Sequence, residues 1–200
     1  MASPELEDAV LDATRDCVLA YGVRRTTVSD VARRAGVSRM SIYRRWPDVR
    51  SLVADLMSRE LHGVLVAAAA APRRGPARRR TVARIVAVAA ALRAHPLLRK
   101  IREVDPEVLL PYVLDRRGAS QDEMLAFIVD AIRAGQDDGS VRRGNPQRMS
   151  RAVLLMAQSF VLSSALLADT YTDAELDAEL GVVLDRYLAP PAVTAAARRG

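Results

Sequence analysis

The chain has 200 residues with a formal net charge of +6; half of its residues are hydrophobic, whereas only 4% are aromatic. This length allows one or two small domains with a buried core, and the composition favours helices. Arg or Asp interrupts every apolar run before it reaches the length of a membrane span, and the acidic start lacks the apolar stretch of a signal peptide. We therefore expect a cytoplasmic protein that does not enter a membrane.

The first predicted helix runs from about Pro4 to Ala20, since Ser3 is a suitable N-cap and proline is tolerated at the first helical position. It contains Cys17, the only cysteine, which excludes an internal disulfide and suits a reducing compartment. Cys17 lies at helical spacing among apolar residues. This spacing predicts a buried small side chain rather than a reactive thiol.

Two short helices around a glycine turn are predicted next. Thr27 and Asp30 form a Thr-x-x-Asp capping pattern that opens the first of them. Gly36 ends it, because glycine readily takes the positive φ that a tight turn needs. Ser38 is a good N-cap for the second helix, which we expect to run from Arg39 to Trp46. Such a pair of helices can place the second one in a DNA major groove.

The second short helix has two chemically different faces. Ile42 and Trp46 are four residues apart and are expected to face inward. The residues expected on the opposite face are Arg39, Met40, Tyr43 and Arg44. Residues 24–50 contain eight arginines and two aspartates, whereas residues 81–200 contain as many basic as acidic residues. This concentration of positive charge is typical of a nucleic-acid-binding surface.

Several short motifs occur here in a characteristic order. They are Tyr21-Gly22, Thr26-Thr27, Val31-Ala32, Ala35-Gly36-Val37-Ser38, Tyr43 with Trp46, and Leu52. As a set they resemble the DNA-binding domain of the TetR family of bacterial transcriptional regulators. The resemblance implies an all-α fold. We expect an N-terminal three-helix helix-turn-helix head (residues 1–48) and a C-terminal helical ligand-binding and dimerisation domain (residues 49–190). Pro190-Pro191 ends the last predicted helix, so a disordered tail is expected over residues 191–200.

The resemblance also implies DNA contacts. Arg39 and Arg44 can bind guanine O6 and N7 in bidentate fashion, and Tyr43 matches a frequent phosphate-binding tyrosine of the family. Val49 stands where many members carry a phosphate-binding lysine, and Arg45 or Arg50 is the candidate substitute. The predicted DNA-binding residues are Thr26, Thr27, Ser38, Arg39, Ser41, Tyr43, Arg44, Arg45 and Arg50. For Thr27 and Ser38, capping alone is the alternative role.

The rest of the chain is predicted to be helical, with no convincing strand pattern. A fourth helix starts at Val49, and Pro72–Arg80 are interpreted as an exposed loop rather than a DNA contact. Further helices are predicted over Thr81–Ala94, Leu97–Glu103 and Pro106–Arg117. The signals for the last three helices are a Ser120–Glu123 capping box, Asn145-Pro146 before a helix that reaches about Ala168, and a Thr172–Glu175 capping box.

The segment Val153–Leu167 is apolar on more than one face and must be covered on several sides. A partner subunit is the natural cover in a chain of this size. In the TetR family the final two helices pack against their twofold mates as a four-helix bundle. The predicted dimer-interface residues are Leu155, Leu162, Leu166, Leu176, Leu180, Val183, Leu184 and Tyr187. Packing in the chain's own core is the alternative.

The resemblance further implies an effector pocket between the helices from about Thr81 to Leu166, and its apolar character favours an apolar molecule. The candidate lining residues are Leu92, Tyr112, Met124, Phe127, Met156 and Phe160. Ordinary packing would produce the same spacing, so both interpretations stay open. Tyr112 is the best polar group in the set.

Catalysis is not indicated. The two histidines, His62 and His95, are far apart in sequence, and no Cys/His metal spacing, glycine-rich phosphate loop or nucleophile elbow occurs. We expect no metal and no cofactor.

The sequence therefore predicts a homodimeric DNA-binding regulator, most simply a repressor released by a small-molecule effector. One alternative is a regulator that acts without a ligand. Another is a lipid- or protein-binding helical module that would bind DNA without sequence preference.

Overall fold

The computed structural model describes residues 4–69 and 74–191. Within them the chain is helical and contains no strand, which confirms the predicted all-α class. The α-helices are α1 Pro4–Tyr21, α2 Val28–Ala35, α3 Arg39–Tyr43, α4 Val49–Ala69, α5 Ala77–Ala94, α6 Pro96–Val104, α7 Leu110–Leu114, α8 Ala119–Asp137, α9 Pro146–Leu162 and α10 Asp173–Leu188. Short 3₁₀ helices, Pro106–Val108 and Ser164–Leu167, follow α6 and α9.

The helices form two compact units. The first contains the chain up to Val66 together with Ala91–Asp122, and the second contains Ala67–Ala90 with the chain from Glu123 onward. This division does not follow the predicted boundary after residue 48, because α4 and α6 complete the core of the N-terminal helices. The buried cluster of the first unit joins Val10 and Val18 of α1 to Leu52 and Leu56 of α4 and to Leu97 and Ile101 of α6.

The second unit has a core built along α10. This helix buries a leucine at every fourth position, a spacing that keeps one face of a helix turned inward. The leucines are Leu176, Leu180, Leu184 and Leu188. Helices α8 and α9 contribute buried Ile128, Ile132, Val153 and Leu154.

The turn after α8 caps the N-terminus of α5. Asp138 Oδ2 accepts a hydrogen bond from the backbone N–H of Ala77 at 2.8 Å, and Ser140 Oγ accepts one from the N–H of Arg78 at 3.0 Å. Hydrogen bonds from Ser140 and Ala77 hold the pKa of Asp138 below its usual value. Arg78 NH1 also lies 2.7 Å from Asp185 Oδ2 on α10. Side chains distant in sequence thus fix the start of α5.

Local capping signals give most helix starts correctly. Thr27, Ser38 and Asn145 each accept a hydrogen bond from the backbone N–H three residues later. Thr172 and Glu175 form the complete reciprocal capping box. Gly36 has a φ of 67° and donates its N–H to the carbonyl of Ala32. These predictions are confirmed. They could be made from the sequence because each cap depends on residues within one turn of the helix end.

Two predicted helix starts are wrong. Helix α5 begins at Ala77, so Arg78, Arg79 and Arg80 are helical and do not belong to a loop. Helix α8 begins at Ala119, so Ser120 lies inside the helix and not at its cap. Just before α8, the backbone N–H of Gly118 donates a hydrogen bond to Gln121 Oε1 at 2.9 Å.

Two predicted helix lengths are also wrong. The helix expected over Pro106–Arg117 is divided into a 3₁₀ helix and α7, because Pro111 supplies no N–H to continue the ladder. The helix expected to reach Ala168 ends at Leu162. There Ser164 Oγ lies 3.3 Å from the carbonyl oxygen of Val161, the kind of local bond with which serine competes with a helix.

Two of the sequence predictions fall partly beyond the described chain. Residues 72 and 73 of the predicted loop, and residues 192–200 of the predicted tail, lie outside the described residues. Among the helices of the described ranges, none is by itself long and apolar enough to cross a membrane. Helices α5 and α6 meet that requirement only together, as a bent pair, and only by length and composition.

Candidate nucleic-acid interface

Helices α2 and α3, with the turn between them, form a helix-turn-helix. Thr27 Oγ1 accepts from the N–H of Asp30 at 3.1 Å, and Ser38 Oγ accepts from the N–H of Ser41 at 3.1 Å. Gly36 supplies the left-handed residue between the two helices. A side chain at Gly36 would meet no atom within 4 Å, so backbone conformation alone makes glycine suitable there.

Helix α3 is anchored by its inward face. Ile42 and Trp46 are buried, as predicted. The indole Nε1 of Trp46 donates to Asp55 Oδ2 on α4 at 2.8 Å. The helix ends at Tyr43, three residues earlier than predicted, although the N–H of Trp46 still binds the carbonyl of Ile42 at 2.9 Å. The orientation of α3 is thus fixed by packing and by one partly buried hydrogen bond.

The outward face of α3 is available to a ligand. Met40 is 70% exposed, and Arg39, Tyr43 and Arg44 are also exposed. Met40 directly follows Arg39 and lies four residues before Arg44, and most of its apolar side chain is exposed to solvent. The face therefore combines positive charge with one apolar side chain.

The eight arginines between residues 24 and 50 fall into two groups. Four of them pair with carboxylates: Arg24 with Asp105 and Glu107, Arg33 with Asp30, Arg34 with Asp16, and Arg45 with Glu7. The other four make no ion pair with any described residue: Arg25, Arg39, Arg44 and Arg50. All four are exposed, so they are the charges most available to phosphates or bases.

The structure distinguishes the two candidate substitutes for the lysine usually found at the start of α4. Arg45 NH1 lies 3.2 Å from Glu7 Oε1, and its guanidinium lies 5.3 Å from the centre of the Trp46 ring. Arg50 is exposed in the first turn of α4. The neighbouring Asp48 caps that helix by accepting from the N–H of Ser51 at 2.8 Å, which lowers the pKa of its carboxyl group. The geometry favours Arg50.

The two predicted threonines differ in accessibility. Thr26 is buried and donates its hydroxyl to the carbonyl of Gly22 at 2.7 Å, so its proposed contact with a phosphate is wrong. Thr27 is exposed at the N-terminus of α2, where capping and phosphate binding are compatible. The hydroxyl groups of Ser38 and Ser41 form a hydrogen bond with each other at 2.9 Å. This bond uses part of the hydrogen-bonding capacity that the two hydroxyl groups could offer to DNA.

Two residues of this surface were not among the predicted DNA-binding residues. Met40 was expected on the outward face but was given no role, although an apolar side chain can read the methyl group of thymine. Arg25 lies exposed just before α2, and only its charge indicated a function. The sequence pattern alone could not identify Arg25 as a DNA-binding candidate, because the structure was needed to show which arginines of the head have carboxylate partners.

Comparison with known proteins places this geometry in a family. Residues 10–56 match the family model described as bacterial regulatory proteins, tetR family. An uncharacterized HTH-type transcriptional regulator of Mycobacterium tuberculosis H37Rv is 37% identical over 179 residues, which cover 90% of this chain and 92% of the relative. The chain belongs to the TetR family. It is therefore a DNA-binding transcriptional regulator and not an enzyme.

Solved structures agree with the fold of this TetR-family regulator. RolR, in complex with resorcinol, has a TM-score of 0.70 at 9% identity, covering 94% of this chain and 89% of that one. The fatty acid degradation regulator FadR of Bacillus halodurans has a TM-score of 0.67 at 14% identity, covering 92% of this chain and 96% of that one.

Within the described chain, no group of three or more His, Cys, Asp or Glu residues could hold a metal ion.

The predicted dimer-interface residues of the TetR-family regulator separate into two sets. Leu176, Leu180 and Leu184 are buried within the single chain, so their assignment to the interface is corrected: they form the core of the second unit. Leu155, Leu166 and Val183 are exposed, and Leu162 and Tyr187 are partly buried. The neighbouring Val182, which was not predicted, is exposed as well.

The predicted effector-pocket residues occur in both units. Leu92 is buried and Tyr112 is partly buried in the first unit, where the Arg116 guanidinium lies 5.4 Å from the centre of the Tyr112 ring. The remaining four are partly buried in the second unit: Met124, Phe127, Met156 and Phe160. Arg84 lies 5.8 Å from the centre of the Phe127 ring. The pocket stays a prediction.

Proposed function

We propose that this TetR-family regulator is a cytoplasmic homodimeric repressor that binds a near-palindromic operator and is released by a small-molecule effector. The observation that carries the proposal is the exposed face of α3. There two arginines without carboxylate partners flank Met40, while the opposite face is held by buried Ile42 and Trp46. A rigid helix with free arginines and one apolar side chain suits the edges of bases in a major groove.

The exposed residues divide between base reading and phosphate binding. Arg39 and Arg44 are assigned to guanine, and Met40 to the methyl group of thymine. Arg25, Thr27, Tyr43 and Arg50 are assigned to phosphates on either side. Two copies of α3 would enter successive major grooves about 34–36 Å apart, which is the spacing of one helical turn of DNA.

The exposed apolar residues of α9 and α10 support the dimer. Leu155 and Leu162 are seven residues apart on α9 and therefore share one face of that helix, and exposed Leu166 follows in the 3₁₀ helix. Val182 and Val183 are exposed on α10. A second copy of the same surface would remove these side chains from water, which is the arrangement of a twofold interface.

The small-molecule effector is supported by fold relatives. RolR was solved with resorcinol, and a further relative from Saccharomonospora viridis, with a TM-score of 0.64, was solved with choline. The six predicted pocket residues are mostly apolar, which favours an apolar effector here. Such a ligand releases DNA only if it binds one arrangement of the two DNA-binding heads more tightly than the other.

The proposal is tested by selecting duplexes from a random library with the purified protein and comparing selected with scrambled DNA across a salt series. We expect a preference of about 10³-fold or more, and a palindromic selected sequence. Arg44→Ala should lose about 1–3 kcal/mol of that preference at one base pair in each half-site. Arg34→Ala is the matched control, because Arg34 is exposed in the same head but pairs with Asp16. Failure of the native protein to enrich any duplex would contradict the proposal.

The sign of regulation needs a separate measurement. Transcription from a promoter that contains the selected sequence is compared in cells with and without the protein. A repressor predicts higher transcription in cells that lack it. Lower transcription in those cells would identify an activator with the same DNA-binding surface.

A further inference from the structure

A buried carboxylate connects the end of α6 to the loop between α1 and α2. Asp105 follows α6 directly and is 1% exposed. Its Oδ2 accepts a hydrogen bond from the backbone N–H of Val23 at 2.7 Å, and its Oδ1 lies 3.3 Å from Nε of Arg24. Both partners are 81 or more positions away in the sequence. The carboxylate makes no capping bond to the 3₁₀ helix that follows it, although Asp105-Pro106 is a capping sequence.

The loop is built closely around this carboxylate. Gly22 has a φ of 85°, and a Cβ atom there would lie 2.5 Å from Asp105 Oδ2 and 3.0 Å from Cγ1 of Val104. No side chain could enter without displacing the carboxylate. A buried ionised group is tolerated only where hydrogen bonds and an opposite charge compensate for lost hydration. The N–H of Val23 and the guanidinium of Arg24 supply both.

The fixed loop leads directly into the DNA-binding motif. The N–H of Thr26 binds the carbonyl of Val23 at 3.1 Å, and the hydroxyl of Thr26 binds the carbonyl of Gly22. The next residue, Thr27, is the N-cap of α2. A short chain of hydrogen bonds therefore runs from Asp105 to the first turn of the helix-turn-helix. Movement of the loop would displace the start of α2.

Arg24 has a different role from the unpaired arginines beside it. It is exposed, but its guanidinium also lies 3.5 Å from Glu107 Oε1, in addition to its contact with Asp105. Two carboxylates thus direct it toward the segment after α6. Arg25, the next residue, is exposed and makes no ion pair with a described residue, so its charge is available to a phosphate.

We propose that Asp105 is a positioning residue for DNA binding: with Arg24 and the backbone N–H of Val23 it holds the α1–α2 loop where the helix-turn-helix can engage its operator. The proposal rests on the proposed function, because it concerns the same DNA-binding surface. Asp105 itself does not contact DNA. Its loss lowers the fraction of protein whose head is correctly placed, and apparent affinity falls by that fraction.

The test compares three variants on the duplex that the native protein selects. Asp105→Ala removes both contacts. Loss of a charge-assisted hydrogen bond should shift the equilibrium of loop placement by about tenfold or more. Apparent affinity for the operator should fall by the same factor once the correctly placed loop is the minor state. Asp105→Asn keeps an oxygen for the Val23 N–H and should recover part of the loss. Glu107→Ala is the control, because it removes only the outer contact of Arg24 and should bind as the native protein does.

Hydrogen exchange of the Val23 amide distinguishes positioning from a general loss of stability. In Asp105→Ala this amide should exchange faster, while amides within α4 remain protected and the thermal midpoint stays within a few degrees. Native operator affinity, or unchanged Val23 exchange, in a folded Asp105→Ala protein would overturn the proposal. If Asp105→Ala does not fold, the same readings on Asp105→Asn decide, with an intermediate loss expected and native values contradicting it.

A second pair of variants examines Arg24 without altering the carboxylate. Replacement of a phosphate-binding arginine should reduce the slope of log affinity against log salt by about 1, whereas a loop-fixing arginine should leave the slope unchanged. We expect the reduction for Arg25→Ala and no change of slope for Arg24→Ala. A reduced slope for Arg24→Ala would contradict its assignment. Absence of operator preference in the native protein would instead refute the proposed function.

Discussion

The substitution Leu155→Gln tests whether the exposed face of α9 is a dimer interface. Leu155 is 65% exposed in the single chain. Full burial of a leucine contributes about 1.5–3 kcal/mol, so roughly two-thirds of it, about 1–2 kcal/mol, is left for a partner to supply. A twofold dimer contains the residue twice, which makes the expected loss about 2–4 kcal/mol. That loss corresponds to a dissociation constant about 30- to 700-fold higher.

Sedimentation velocity over a concentration series measures this constant. Leu114→Gln is the matched control: Leu114 is 72% exposed but lies on α7 in the first unit, so its replacement should leave the dimer unchanged. Leu180→Ala serves as a second control, because it opens the core of the second unit and should destabilise the fold by about 2–5 kcal/mol. An unchanged dissociation constant for Leu155→Gln, or an equal change for Leu114→Gln, would refute the reasoning.

Three further predictions concern single residues of the two units. Arg50→Ala should reduce the salt slope of DNA binding by about 1, whereas Arg45→Ala should not, because Arg45 pairs with Glu7; equal slopes for the two variants would contradict the assignment of Arg50. Gly36→Ala should lower the free energy of unfolding, measured by chemical denaturation, by about 1–2 kcal/mol because Gly36 has a positive φ. Gly63→Ala within α4 should raise it by about 0.5–1 kcal/mol. Similar effects at both glycines would show that backbone conformation does not determine the cost of the substitution. Because the pKa of Asp138 is lowered in the folded protein, its stabilisation is present at neutral pH and is lost as the pH falls below about 4. Asp138→Asn should therefore show a smaller fall in the thermal midpoint on acidification, and an unchanged fall would argue against this origin of acid sensitivity.

The features that the sequence predicted correctly are those encoded within one helical turn. The caps at Thr27, Ser38, Asn145 and Thr172 are local hydrogen bonds, and the structure contains each of them. Burial of Ile42, Trp46 and Cys17 follows from helical spacing, which sets the face of each side chain. The TetR-family assignment rests on this same local set of residues.

The features that could not be predicted depend on contacts between distant segments. The start of α5 is set by Asp138 and Ser140, about sixty positions later in the chain. The spacing of α10 shows that Leu180 faces a core, but not whether that core lies within one chain or between two. For the same reason, the charge count of the head could not show that four of its arginines are paired with carboxylates.

The burial of Cys17 makes the native protein its own reporter of motion in the DNA-binding head. The thiol lies in α1 at 1% exposure, and burial raises its pKa. Both effects suppress reaction of Cys17 with a disulfide reagent while α1 stays packed in the head, since the thiolate is the reactive form. Because the chain has no other cysteine, the labelling rate measures how often α1 opens away from α2 and α4. Operator DNA should slow that rate, so occupancy can be followed without attaching a dye to either molecule.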